Sequence, residues 1–386
     1  MGPSARHVSE MDVAVFGGGP AGCASALRLL DLGYSVTIVT HPSALAVRVG
    51  ETFAPAIRMP LGKLRLWSRF LESNPVPSFE IQSVWGTTQM RVRNSIFDPY
   101  GPGWHVVRRK FDNELLRTTE ERGCEFIFSS QFPDVAWDGQ AWNLRIASGP
   151  RIRAHFLVDA TGRASALGCR LGGRRIQYDH LIALVAFSDS PGFPQLDNAT
   201  LVEASRDGWW YSALLPNRKF ILTYLTDYDL LPLGATFSRT HFASQLRLTK
   251  ATQERLASDW LPDEIHGFSA NSSRLEYLKN SAWLPVGDAF TAHDPLCGQG
   301  VLWALEGGIT AANSIDQFLN GNKRQAEEYQ TKGLTSFESY LTHLNSYYSI
   351  EQRWPQSPFW ARRRTRFTKP YEIDQPRQLV KDVARN

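Results

Sequence analysis

The chain has 386 residues, more than the roughly 250 to 300 that a single core organises, so one large composite domain or two domains are expected. A net charge of +4 is small for this length and gives no argument for nucleic acid, and no apolar run reaches the roughly 18 residues of a membrane span. The four cysteines, Cys23, Cys124, Cys169 and Cys297, lack metal-ligand spacing, so no structural metal is expected; with no export signal, a reduced, cytoplasmic protein is.

In chain order, "DVAVFGGGPAGCASALRLLDLGYSVTIVT" (12–40) reads as apolar strand, glycine turn, helix with small residues on one face, and second apolar strand. Residues 60 to 72 have helical spacing, and "FEIQSVWGTTQMRVRNSIF" (79–97) alternates like two paired strands. "RRKFDNELLRTTEERG" (108–123) is a helix stopped by Gly123, and "DVAWDGQAWNLRIAS" (134–148) a hairpin turning at Asp138-Gly139. "RIRAHFLVDATGR" (151–163) is a strand entering a glycine turn; residues 180 to 227 are strand-rich, with a helical stretch near 237 to 258. "AWLPVGDAF" (282–290) is a buried strand, "GVLWALEGGITAANSI" (300–315) a helix, and the last sixty residues are helical, then irregular and basic.

The motifs carry the chemistry. Gly17, Gly19 and Gly22 form G-x-G-x-x-G between a strand and a helix, where glycines allow a tight turn, close approach of a pyrophosphate and close helix packing. The pattern alone does not separate FAD from NAD. The acid expected for ribose hydroxyls is replaced by Thr40, so ribose recognition is weakened or shared with Arg48. Further along stand Arg108 in "VRRKFD", Asp159 in "VDATGR", Gly287 and Asp288 in "PVGDAF", and Pro295, Gly298 and Gly300 in "DPLCGQG".

Taken together with "VGETFAP" (49–55), "SVWG" (83–86), "GPGWHVVRRKFD" (101–112) and "GWWYSALLP" (208–216), these motifs resemble FAD-dependent monooxygenases of the p-hydroxybenzoate hydroxylase fold, in the tryptophan halogenase-like branch. The resemblance covers most of the chain. It implies an α/β fold in which a Rossmann-like FAD-binding domain (1–75, 104–178 and 280–320) is interleaved with a β-sheet substrate domain (76–103 and 179–279), followed by a helical C-terminal region and basic tail (321–386). It implies a ribityl hydroxyl on Asp288, backbone N–H groups of the 295–300 loop at the flavin ring, and oxygen transfer through a C4a-hydroperoxyflavin to an electron-rich ring.

Flavin halogenases of this branch carry W-x-W-x-I-P and a catalytic lysine. This chain has Tyr211, Ala213 and Leu214 where that motif needs Trp, Ile and Pro, and no lysine between Trp85 and Trp104. The non-halogenating relatives that this chain resembles mature tryptophylquinone cofactors of lysine oxidase, glycine oxidase and quinohemoprotein amine dehydrogenase. The resemblance therefore implies hydroxylation of a tryptophan in the precursor subunit of a quinone-dependent oxidase or dehydrogenase, with NAD(P)H or a flavin reductase as electron donor. The alternatives are hydroxylation of a free aromatic or pyrrolic metabolite, and FAD-dependent reduction of isoprenoid double bonds.

Trp209 and Tyr211 alternate with Trp210, so the first two share one strand face, which is expected to line the pocket unless all three are sheet core. Glu51 is the expected proton acceptor, or else the ion-pair partner of Arg48 or Arg108; His293 is the alternative base and His105 a weaker one. The basic runs at 174–177 and 362–366 are candidate docking points for an acidic precursor.

Overall fold

The apolar run Val13 to Phe16 is buried on all sides, as parallel strands covered on both faces require. The computed structural model describes residues 8–42, 48–147, 149–189, 197–232, 238–256, 260–277 and 282–364. In it strand Val8–Phe16 lies in parallel between Val36–Thr40 and Arg151–Asp159. Glu125–Phe128 adds a parallel edge, Trp283–Pro285 also pairs in parallel with Arg151–Asp159, and the antiparallel hairpin Asp134–Trp137 and Trp142–Arg145 completes this first sheet. That hairpin turns where Asp138-Gly139 predicts, the Asp138 carboxylate accepting from the N–H groups of Gln140 and Ala141.

A second seven-stranded sheet runs in the order His266–Ser269, Leu181–Asp189, Lys219–Asp227, Gly208–Leu214, Thr200–Ser205, Glu80–Val84, Arg91–Asn94. Two small three-stranded sheets sit at the points in sequence where the chain passes between the large ones: Thr52–Phe53 with Gly103–His105 and Val76–Ser78, and Arg174–Gln177 with Ser273–Glu276 and Thr291–Ala292. The mixed α/β architecture is thus the expected one.

Helices then bind the layers. Pro20–Asp31 packs on Gly300–Leu319 so closely that the Ser25 hydroxyl donates to the Gly308 carbonyl at 3.2 Å. The 27-residue helix Arg324–Ile350 buries Ala326 and Tyr329 in the core of the first sheet and Phe337, Tyr340, Leu344 and Tyr348 in that of the second. Among the described residues no helix is long and apolar enough to cross a membrane.

Two helical expectations are corrected. Residues 60 to 72 form two short helices, Arg58–Lys63 and Trp67–Glu72, separated where Arg65 takes a left-handed φ of 57°. Among its described residues the stretch near 237–258 is helical only at Arg239–Leu246, with a single tight turn at Gln253–Arg255; residues 237 and 257–259 lie outside the described residues. The tail from 365 on also lies outside them.

Candidate functional site

A cavity of about 810 Å³ opens between the glycine turn and one face of the second sheet, within the size range of cofactor sites. Gly17 has a φ of 109°, and a side chain there would collide with the Ala160 carbonyl. A side chain on Gly22 would strike the Gly17 carbonyl, so this third glycine packs the helix and does not line the cavity. Gly19 differs. A Cβ on it would project into the cavity, with Arg48 Nη1 at 3.8 Å. The helix it begins has neither a side-chain cap nor an acidic residue in its first turn, so free N–H groups and the positive dipole end meet the cavity. Helix Gly300–Leu319 brings a second uncapped N-terminus to the same space.

Thr40 lines the cavity, but its hydroxyl already accepts the Gly18 N–H at 3.2 Å and so secures the turn. Arg48 and Arg108 also line it, sharing the Asp112 carboxylate at 3.6 and 2.9 Å. Both arginines pair with Asp112, and Arg108 acts on Glu51 through its charge. Asp159 lies elsewhere than expected. Its buried carboxylate accepts from the Thr161 N–H and hydroxyl at 3.0 and 2.6 Å and from the Gly168 N–H at 2.8 Å, so it ties down the following turn outside the cavity wall. Gly287, at φ 55°, likewise packs against Ala21 and is not part of the wall.

Asp288, Pro295, Gly298 and Gly300 do line the cavity, Asp288 lying 3.4 Å from Arg163 Nε. Neither Gly298 nor Gly300 has an atom within 4 Å of where a Cβ would stand. His293 is wedged between Trp303 and Tyr340, with ring centroids 4.3 and 4.5 Å away, and burial pushes its imidazole down to about 4. It is neutral at pH 7. His105 is fully buried, held by the Leu214 carbonyl at 2.9 Å and Thr200 Oγ1 at 3.0 Å, and is not on the wall.

The opposite wall is strand Gly208–Leu214. Trp209 and Tyr211 face the cavity, while Trp210 turns away to stack on Tyr224 at 4.8 Å and meet Phe242 edge-on at 4.9 Å. The Tyr211 hydroxyl shares a 2.6 Å hydrogen bond with Thr52, 159 positions away. Next to Thr52 is Glu51, only 3% exposed, whose carboxyl accepts the Gly50 N–H at 2.7 Å and is lifted by burial to about 7 against the pull of that bond and of Arg108.

Beneath this wall lies a relay that sequence reasoning missed. The Trp209 indole N–H donates to Tyr348 at 3.0 Å, and the Tyr348 hydroxyl donates to Asp294 Oδ2 at 2.7 Å. Tyr340 closes it, accepting the Asp294 N–H at 2.6 Å. Asp294 is visible in sequence as the start of "DPLCGQG", but nothing local marks two tyrosines of a helix fifty residues later as its partners.

The sequence-expected basic runs make contacts within the chain, exposed at Arg174, half-buried at Arg175 and buried at Arg363. Arg174 pairs with Glu276 at 3.0 Å, and Arg175 is spent on Ser165, Ser273 and the Ala289 carbonyl. Arg362 and Arg363 hold Asp227 and Asp229 at 2.7 to 3.1 Å, and Arg364 reaches the Pro355 and Glu351 carbonyls. Thr365 and Arg366 lie outside the described residues.

Two uncapped helix N-termini, a glycine with open space before it and two half-buried arginines fit a long anionic dinucleotide. The fold and this cavity define a flavoprotein: residues 10–339 match the FAD binding domain family, and the chain belongs to it. It is an FAD-dependent enzyme, and its fold is similar to that of flavin-dependent halogenases and hydroxylases. Among individual proteins it is 28% identical over 379 residues to LodB of Marinomonas mediterranea, named as an FAD-dependent oxidoreductase, covering 92% of this chain and 97% of that one. In fold it is similar to the myxobacterial chondrochloren halogenase CndH (TM-score 0.81, 22% identity, 98% of this chain and 89% of that one). It is also similar to QhpG, a peptidyl tryptophan dihydroxylase essential for tryptophylquinone cofactor biogenesis (TM-score 0.76, 24% identity, 95% and 80%).

Proposed function

We propose that the protein hydroxylates a tryptophan of a partner polypeptide, the precursor subunit of a quinone-dependent oxidase or dehydrogenase, during formation of its tryptophylquinone cofactor. The observation that carries this reading is the wall facing the glycine turn: Trp209 and Tyr211 with the buried Glu51 carboxyl beside them, and no lysine among the described residues of the cavity. A halogenase needs that lysine. The likeness in fold to QhpG, a peptidyl tryptophan dihydroxylase, supports the same reading.

In this reading Gly17, Gly19 and the N-terminus of helix Pro20–Asp31 hold the FAD pyrophosphate. Thr40, Arg48 and Arg108 lie along the adenosine side, Asp288 takes a ribityl hydroxyl, and Pro295, Gly298 and Gly300 border the flavin ring. Gly22, Gly287 and Asp159 shape the turns behind them. FAD, once reduced, activates dioxygen and supplies an electrophilic oxygen atom to an electron-rich ring. The protein's part is to position that ring and exclude water. Trp209, fixed by Tyr348, is a rigid apolar wall; Tyr211 and Thr52 offer a hydroxyl pair to orient the indole N–H. Glu51, ionised, accepts the proton released when the hydroxylated ring regains aromaticity. His293 is the poorer base, because burial disfavours its protonated form.

The reading includes a reductant, NAD(P)H or a separate flavin reductase, a cytoplasmic location, and a division into an FAD-binding unit built on the first sheet and a substrate unit built on the second. Its test is co-expression with a quinone-dependent precursor subunit. Mass spectrometry is expected to find added oxygen on one tryptophan, and no bromotryptophan when bromide and free tryptophan are supplied with reductant and oxygen. An unmodified precursor together with efficient hydroxylation of a free aromatic metabolite refutes it.

A further inference from the structure

We propose that the free edge of the second sheet, strand Arg91–Asn94, docks an extended acidic segment of the polypeptide substrate as an added strand. This rests on the reading that the substrate is a polypeptide. Among the described residues the strand pairs only with Glu80–Val84, and all four of its residues are exposed. An open edge of this kind presents unpaired N–H and C=O groups and is a template for a further strand.

Register shows which side of the edge belongs to the cavity. Thr223 lies opposite Tyr211, Tyr211 opposite Val202, Val202 beside Ser83, and Ser83 opposite Arg91. Cross-strand partners share a face, so the row that begins on the cavity wall ends at Arg91, with Arg93 two residues on along the same side. On the other side polar groups satisfy one another: Asn94 with Glu80 at 3.2 Å, and Gln82 and Arg255 with Asp197 at 2.8 and 2.9 Å. Arg91 and Arg93 have no carboxylate partner among the described residues. Around them Val92, Met90, Ile96 and Phe97 are 55%, 45%, 66% and 95% exposed. Two unpaired guanidinium groups on the cavity side, set among exposed apolar side chains, select a segment that alternates acidic and apolar residues.

Spacing adds a constraint. A strand added beyond Arg91–Asn94 lies four strand spacings, about 19 Å, from the strand of Tyr211. At roughly 3.3 Å per extended residue, the target tryptophan stands about six residues from the docked segment.

The test uses fluorescein-labelled peptides with a Glu-Val repeat, a six-residue spacer and one tryptophan, titrated into FAD-loaded protein by anisotropy. The acidic peptide is expected to bind, more weakly as salt rises, and to lose its affinity when alternate backbone nitrogens of the repeat are methylated. Arg91→Glu/Arg93→Glu is expected to bind it at least tenfold more weakly while preferring a Lys-Val peptide; Arg91→Ala/Arg93→Ala serves the same purpose should charge reversal impair folding. Unchanged affinity in the variants, equal binding of acidic and basic peptides, or no binding to the unaltered protein overturns the proposal. A peptide that docks but gains no oxygen leaves the docking edge standing and removes the hydroxylase reading. Oxygen added to a tryptophan of the co-expressed precursor with no peptide docked does the reverse.

Discussion

Single residues divide the glycine turn into two kinds of position. Gly19→Val has room, with only Arg48 Nη1 near its Cβ position, so the variant is expected to fold and emerge colourless, its side chain standing where the pyrophosphate would lie. Gly17→Ala meets both a left-handed φ and the Ala160 carbonyl, and is expected to lose stability as well as flavin; absorbance and thermal melts distinguish the two. Glu51 gives a pH signature. Burial raises its carboxyl from 4.5 to about 7, so the base form accumulates as pH rises through that value and the hydroxylation rate is expected to climb with it. Glu51→Gln is expected to lower the rate by about 100-fold or more and flatten the climb while FAD stays bound. A retained slope in the Gln variant assigns the titration to another group.

Among elements, the loop that begins at Asp294 and the helix carrying Tyr340 and Tyr348 depend on one another. Burial, reinforced by the charge of Asp179, raises the Asp294 carboxyl from 3.8 to about 7, against the hydrogen bond from Tyr348. A raised folded-state value means that the folded protein binds the proton more tightly than the unfolded chain. The stability so contributed is complete below about pH 3.8 and is lost as pH rises toward 7. Asp294→Asn stays neutral throughout. Thermal melts with FAD in excess are therefore expected to show the Asn variant gaining on the unaltered protein between pH 4 and 8, by a few kcal/mol at most; a constant gap contradicts the raised value.

At the scale of the whole molecule, helix Arg324–Ile350 and the segment after it hold the two sheets in one body. Arg363 anchors that segment. Its guanidinium is 2% exposed, 2.7 Å from the equally buried Asp227 carboxylate and 3.6 Å from the centre of the Phe359 ring. Arg363→Met strands a buried carboxylate that Arg362 only partly compensates at 3.1 Å, at a cost of about 3 kcal/mol, which melting is expected to show as a drop of several degrees.

The sequence by itself determined what local backbone chemistry dictates. The strand-turn-helix at Gly17 to Gly22, the Asp138-Gly139 hairpin and the opposite facing of Trp209 and Trp210 each follow from a few adjacent residues. Family motifs added the FAD fold, because phosphate and flavin loops need particular glycines at fixed spacing. Tertiary structure decided which side chains meet. Asp159 and Thr40 sit in cofactor motifs, yet their oxygens are engaged by nearby backbone and hydroxyl groups. The basic runs look free in sequence and are engaged by carboxylates and carbonyls of other elements, whereas Arg91 and Arg93 look ordinary and have no carboxylate partner among the described residues. Glu51, Thr52 and Tyr211 meet, and Trp209 reaches Asp294 through Tyr348, only because the folded layers bring distant segments to one wall. The physical reason is range: turn and strand preferences are settled within a few residues, while a buried polar group must find its partner wherever the packed chain places one.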